Sequence, residues 1–224
     1  MKVLGILGSP RGRSGNTGQL LDRLIYKVKE LGVEAELIVL KDLTINYCVG
    51  CDECRKVGNC KQKDDFLEVK EKILSADGIV MGSPVYAFQV TAQMKTLIDR
   101  LCSIGHYLPF QGKYGASVAV AGGVGEEDVI KYLNTFLHRF GAFVVGDMGA
   151  KAIDPGEFRD AAGAFKEASA LGQELVNALR EKREYPEQAA ELIHFKEVLK
   201  NNVILTKGAL WKAEYAYWEK MGWL

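Results

Sequence analysis

"KVLGILGSPRGRSGNTGQLLDRLIYKVKELG", residues 2–32, opens on a short apolar run and closes on a glycine. KVLGIL reads as a strand. From Gly15, the residues Leu20, Leu21, Leu24, Ile25, Val28 and Leu31 recur at helical spacing until Gly32 stops the helix. The same alternation continues down the chain. Apolar runs at 35–40, 77–82, 114–123 and 142–146 predict four further strands. Helices are expected over about 65–75, 90–104, 126–140 and 155–183.

Five short apolar strands alternating with helices predict an α/β fold, a parallel sheet covered on both faces. Right-handed crossovers make it doubly wound, with the strand order 2-1-3-4-5 of a flavodoxin-like sheet. Ligands of such sheets sit beyond the carboxyl ends of the strands. Three segments leave those ends with unusual chemistry: 8–17, 83–88 and 121–125.

At 224 residues the chain suits one domain with an appendage: residues 1–183 as the body, a cysteine loop inserted at 44–64, and a helical extension over 184–224. Lysine plus arginine equals aspartate plus glutamate, 29 each, so no basic field invites nucleic acid or an anionic membrane. No apolar stretch reaches the roughly 18 residues a spanning helix needs, and MKVLGILGSPRG lacks a full signal-peptide core. A cytoplasmic protein is expected. All three tryptophans fall in the last fourteen residues, with Trp211, Tyr215 and Trp218 on one helical face. That extension is expected to pack on the body or on a second subunit, with a ligand lid as the alternative.

The first loop, GSPRGRSGNTGQ at 8–19, crowds a helix N-terminus with the hydroxyls of Ser9, Ser14 and Thr17, the amide of Asn16 and the guanidinium of Arg11 or Arg13. Free N–H groups and the helix dipole favour an anion there. Plain capping by Ser14 or Asn16 is the simpler reading, yet it needs only one such group. The loop lacks both the Gly-Lys-Ser/Thr ending of triphosphatases and the dinucleotide G-x-G-x-x-G. A monophosphate suits it, and FMN is the natural candidate. In the second loop Pro84 stiffens the exit from the sheet, and Tyr86 and Phe88 offer faces to an aromatic ring. In the third, glycines at 122, 123 and 125 let backbone approach a flat ligand.

GSPRGRSGNT followed by GSPVYAFQVTAQMKTLIDR closely resembles the NADPH-dependent FMN reductase group of flavodoxin-like proteins, over roughly residues 1–180. The resemblance implies that Ser9, Arg11, Ser14, Asn16 and Thr17 hold the FMN phosphate. It also implies that Ser83, Pro84, Val85 and Tyr86 line the isoalloxazine, with Gly122 and Gly123 across from them. Many relatives carry a glycine after the aromatic of the second loop, whereas this chain has Ala87 and then Phe88.

Four of the five cysteines, Cys48, Cys51, Cys54 and Cys60, crowd into thirteen positions as C-x2-C-x2-C-x5-C. In a reducing compartment such a row points to metal or redox work rather than structural disulfides. Three thiols at intervals of three and a fourth nearby suit a [4Fe–4S] cubane, and Arg55, Lys56, Lys61 and Lys63 offset part of its charge. Metal-free thiols, a structural zinc and disulfides are the alternatives. Cys102, on an apolar helix, reads as a small core residue. Asp64 and Asp65 read as a helix start, and Asp99 and Arg100 as members of local salt bridges.

FMN loops and a compact cysteine row together resemble the iron-sulfur flavoprotein family. That resemblance implies an electron-transfer oxidoreductase passing electrons between a [4Fe–4S] cluster and FMN, with ferredoxin or NAD(P)H as donor and a small acceptor. It further implies a homodimer or homotetramer in which one subunit's cluster lies near another's flavin. The scheme requires no general acid or base, and His106, His138 and His194 read as surface or packing residues. The rival reading is an NAD(P)H-dependent FMN or quinone reductase whose cysteines hold no cluster.

Overall fold

The computed structural model describes residues 1–205 and 211–224; residues 206–210 of the expected C-terminal extension lie outside the described residues. Strands β1 (Lys2–Leu7), β2 (Glu34–Val39), β3 (Gly78–Pro84), β4 (Tyr114–Ala121), β5 (Phe143–Asp154) and β6 (Glu157–Phe158) form one sheet in the order β2-β1-β3-β4-β5-β6. The first five pair in parallel, and β6 runs antiparallel to β5. The expected five-strand order is present with a sixth, two-residue strand added at its edge.

Helices α1 (Asn16–Glu30) and α6 (Ala161–Glu181) cover one face, where Leu20, Leu21 and Leu24 meet Leu175, Val176 and the strand residues Val3, Leu7, Val118 and Val120. On the other face α3 (Phe66–Ser75), α4 (Ala92–Leu101) and α5 (Glu126–Arg139) pack Phe66, Ile73, Met94, Leu97 and Leu133 against Leu4, Ile6 and Ile79. Alternate residues of β1 therefore feed opposite cores, the period-two rule of a strand buried on both sides. A short helix, α2 (Glu53–Val57), lies within the cysteine loop.

Two expectations about the last third of the body are corrected. The fifth strand does not stop at 146 but continues to Asp154, and no helix begins at Pro155. Residues 155–160 turn, add β6, and let Asp160 cap α6 by accepting from Gly163 N at 2.9 Å. Asp160 sits where a helix start should, with free N–H groups ahead of it to satisfy.

The tail folds back on its own body. α7 (Pro186–Leu205) begins with proline at its first position, and α8 (Lys212–Lys220) follows. Trp218 is fully buried among Leu108, Leu199 and Val203, and its Nε1 donates to His106 O at 2.9 Å. His106 Nδ1 also meets Glu214, a buried carboxylate, at 2.5 Å. Trp211 lies 3.9 Å from the Arg55 guanidinium, so the tail touches the cysteine loop as well. Among the described residues no helix is long and apolar enough to cross a membrane.

Candidate functional site

The three strand-end loops converge on one cleft, lined by Ser9, Arg11, Gly15, Asn16, Thr17, Pro84, Val85, Tyr86, Gly122 and the end of β5 from Ala152 to Pro155. The N-cap of α1 is Gly15, and no side chain caps it. The capping reading of Ser14 and Asn16 therefore fails. Ser14 points its hydroxyl at Arg11 O (2.9 Å), outside the cleft lining. Asn16 spends its amide on the turn after β5, donating to Glu157 O at 2.8 Å and accepting from Gly156 N at 3.0 Å. With no cap, the first-turn N–H groups of α1 lack intrahelical partners. Beside them the Thr17 hydroxyl is buried and has no hydrogen-bond partner. An orphaned hydroxyl on an uncapped helix N-terminus is the donor set an anionic phosphate completes.

The loop can approach the helix this closely because of Gly18. A Cβ there would stand 2.4 Å from Gly12 O and 2.6 Å from Arg13 Cα. Ser83 is fully buried, and its hydroxyl is used twice within the fold, donating to Pro84 O and accepting from Thr91 N. Its part is to hold the second loop. Tyr86 and Gln89 pair as a two-residue hairpin with Ala87 and Phe88 at its tip, both at positive φ (48° and 63°). A tight turn of this hand favours glycine at both positions, so strain sits beside the cleft. Ala87→Gly is expected to raise stability by about 1 kcal/mol, read from denaturant midpoints; a loss would show that the side chain makes a compensating contact.

The space a Cβ would take at Gly122 and Gly123 is vacant, and Gly122 lines the cleft. Gly123 O accepts from Lys151 Nζ at 2.7 Å, and the same ammonium pairs with Glu126 at 2.5 Å. Burial pushes the Glu126 carboxyl up, but the Lys151 contact, a backbone hydrogen bond and the Arg159 charge together outweigh it and hold the group below its ordinary range. Lys151, Ile153 and Asp154 escape sequence reading because the apolar run stops at Gly146, eight residues before the fifth strand does. The signal available was GDMGAKAID, a stretch without proline that alternates small and polar residues.

Thr17→Val tests the phosphate cradle directly. It removes the orphaned hydroxyl at constant shape, so FMN is expected to bind about tenfold more weakly while the FMN-free protein melts no lower. A flavin fluorescence titration beside a thermal melt checks both halves; unchanged affinity would take Thr17 out of the site.

A second concavity gathers all five cysteines. Cys48, Cys51, Cys54, Cys60 and Cys102 line it together with Arg55, Asp99 and Arg100. Cys102 is exposed, which overturns its reading as a core residue: α4 ends at Leu101, and the turn that follows brings Cys102 out to the loop. Burial and the neighbouring Cys60 push the Cys54 thiol up. Among the described residues no three His, Cys, Asp or Glu side chains stand close enough together to hold a metal ion. The donor chemistry nonetheless fits a thiolate-ligated cluster, since every thiol of the chain faces one hollow beside two guanidinium groups.

The neck of this loop is closed by charge. Arg100 Nη1 and Nη2 reach Asp64 at 2.6 and 3.1 Å, and both side chains are 1% exposed. Asp64 accepts from Asn46 N and Phe66 N, and Asp65 accepts from Thr44 N at 2.7 Å. The two aspartates therefore staple the loop's ends, and Arg100 pairs across 36 positions rather than locally. Asp99 does pair locally, with Lys95.

The family described as NADPH-dependent FMN reductase matches residues 1–153. An iron-sulfur flavoprotein of Archaeoglobus fulgidus is 38% identical over 225 residues, covering all of both chains, and so includes the tail. One from Methanocaldococcus jannaschii is 40% identical over 149 residues, 66% of this chain and 77% of the relative. Among solved structures, a flavone reductase superposes with a TM-score of 0.64 at 16% identity over 98% of this chain and 97% of the other. A WrbA-like flavodoxin from Agrobacterium tumefaciens gives 0.57 at 15% identity over 81% and 99%. At such identities these two speak for the fold alone.

Proposed function

The chain belongs to the NADPH-dependent FMN reductase family, in its iron-sulfur flavoprotein branch, and is an FMN-dependent oxidoreductase; from that membership we propose that it passes electrons between FMN and a [4Fe–4S] cluster held by Cys48, Cys51, Cys54 and Cys60. The observation that carries the proposal is the single concavity lined by every cysteine of the chain. Ferredoxin is the proposed donor and a small molecule the acceptor.

When bound, the cluster exchanges single electrons and FMN stores pairs. The chain's own residues bind and orient. Thr17 and the first-turn N–H groups of α1 receive the phosphate, and Arg11, exposed at the cleft rim, adds positive charge. Pro84, Val85 and Tyr86 present one wall to the ring, and Gly122 leaves room opposite. Lys151 holds the third loop through Gly123.

The FMN cleft and the cysteine hollow share no lining residue. That separation supports a homodimer or homotetramer in which one subunit's cluster serves its neighbour's flavin. Ile193, Val198, Ile204 and Leu205 on α7 are exposed apolar groups suited to such a contact. A cluster-free NAD(P)H-dependent FMN or quinone reductase is the second reading. It draws on the absence, among the described residues, of three ligating groups within reach of one metal.

Anaerobically prepared protein separates the two. About four iron and four sulfide per chain with one FMN are expected. FMN with neither iron nor sulfide, even after reconstitution, would select the second reading.

A further inference from the structure

Arg100 is buried beneath the cysteine hollow with its side chain 1% exposed, and it does more than neutralise Asp64. Nη1 also donates to Asn46 O at 2.7 Å, and Nη2 reaches Cys60 Sγ at 3.4 Å. The Phe66 ring lies against the guanidinium, 4.4 Å from Cζ to centroid. Its Nε is buried and has no hydrogen-bond partner, although the residue lines the same hollow as the five cysteines.

A simple structural ion pair asks for two N–H groups facing a carboxylate. Here one donor is turned onto a sulfur while another stays buried and unmet, an arrangement that costs free energy unless an anionic group completes it. The planar fork reaches Asp64, the loop backbone and a thiol at once, which an ammonium on a flexible stem cannot do.

Building on the cluster reading proposed above, we infer that Arg100 is a positioning residue for the cluster: it aims Cys60 at the hollow and, by hydrogen bonding its sulfur, raises the cluster's reduction potential. Reduction adds negative charge to a thiolate-ligated cluster. A fixed N–H donor and a buried positive charge at its sulfur favour that added electron.

The test uses the full chain, anaerobically reconstituted with iron and sulfide, in wild-type, Arg100→Lys and Asp64→Asn forms. Two readouts are taken: the cluster midpoint potential by redox titration, and the rate of alkylation at each cysteine in the unloaded chain, resolved by mass spectrometry. Arg100→Lys is expected to shift the potential negative and to change Cys60 alkylation severalfold, with Cys48 and Cys51 changed less than twofold. Asp64→Asn leaves Arg100 in place and removes a negative charge beside it, so its potential is expected to shift positive. The positive shift of Asp64→Asn follows from charge alone; the role of Arg100 is read from the negative shift of Arg100→Lys, in which the charge is kept and the hydrogen bond to Cys60 is lost. Should Arg100→Lys not fold, the wild-type alkylation pattern decides: Cys60 reacting as fast as Cys48 and Cys51 would overturn the role of Arg100. Potentials and Cys60 reactivity unchanged in folded, loaded variants would overturn the role of Arg100. Failure of the wild-type chain to take up iron and sulfide would instead overturn the cluster reading, and is scored on wild type alone.

Discussion

Asp64→Ala is expected to cost the whole chain about 3–5 kcal/mol, because it strands the Arg100 charge in an interior where both partners are 1% exposed. The loss is global rather than confined to the loop, since Arg100 stands on α4, whose apolar face is part of the core under the sheet. Three further contacts go with it: the acceptor for Asn46 N, the acceptor for Phe66 N, and the hold on the loop's neck. Equilibrium unfolding in urea measures the effect, and a loss below about 1 kcal/mol would mean that Arg100 finds another anion or reaches water. The pH dependence carries a definite sign. Burial pushes the Asp64 carboxyl up, but hydrogen bonds from Arg100 and from two backbone N–H groups outweigh it, and its pKa lies below the ordinary 3.8. A carboxylate depressed in the folded state stabilises fully above its unfolded value and loses that contribution as pH falls through the folded one. Wild type and Asp64→Ala should therefore converge in stability as the solution is taken below about pH 4.

Trp218→Ala should produce a loss of similar size, about 3–5 kcal/mol, in a different place. The indole is fully buried, packs edge-on to Trp223 at 5.2 Å between centroids, and gives its N–H to His106 O. Alanine leaves a large cavity and an unmet carbonyl under α8. The tail has its own small cluster of buried residues, Leu108, Leu199, Val203 and Trp218, so the loss should appear first as local opening of α7 and α8. The cysteine loop should loosen with it, because Arg55 stacks on Trp211 and Ala213 Cβ stands 3.7 Å from where a Cβ on Gly58 would be. Amide hydrogen exchange checks this, with faster exchange expected in α7, α8 and Glu53–Val57 while β1 and β3 stay protected. Unchanged protection of Glu53–Val57 would show that the loop stands without the tail.

Much of the body was legible because its signals are local. Leu20, Leu24 and Val28 repeat at the helical period, and KVLGIL and GIVMG are apolar on both faces, as strands buried between two helical layers must be. The cleft could be anticipated for the same reason: in a doubly wound sheet the strand ends dictate where a ligand sits, and odd chemistry there is visible in the string. The misses have a common cause. β5 reads FVVGDMGAKAID, partly exposed along much of its length, so it lacks the continuous apolar run that marked the other strands. Asn16, read as a phosphate ligand, lines the cleft and also holds the turn after β5, some 140 residues away in sequence, a contact no short window of sequence shows.

By itself the sequence determined the alternation of strands and helices, the loop of hydroxyls at the head of α1, and the crowding of four thiols, since each rests on spacing within a few residues. Only the tertiary structure decided that Arg100 and Asp64 close the cysteine loop, that Cys102 joins the other thiols, and that the tail's indole is spent on its own body. Those are pairings of groups 36 to 112 positions apart. They form because a charge or a ring removed from water must find its partner wherever the packed core brings one, and no short window of sequence records that place.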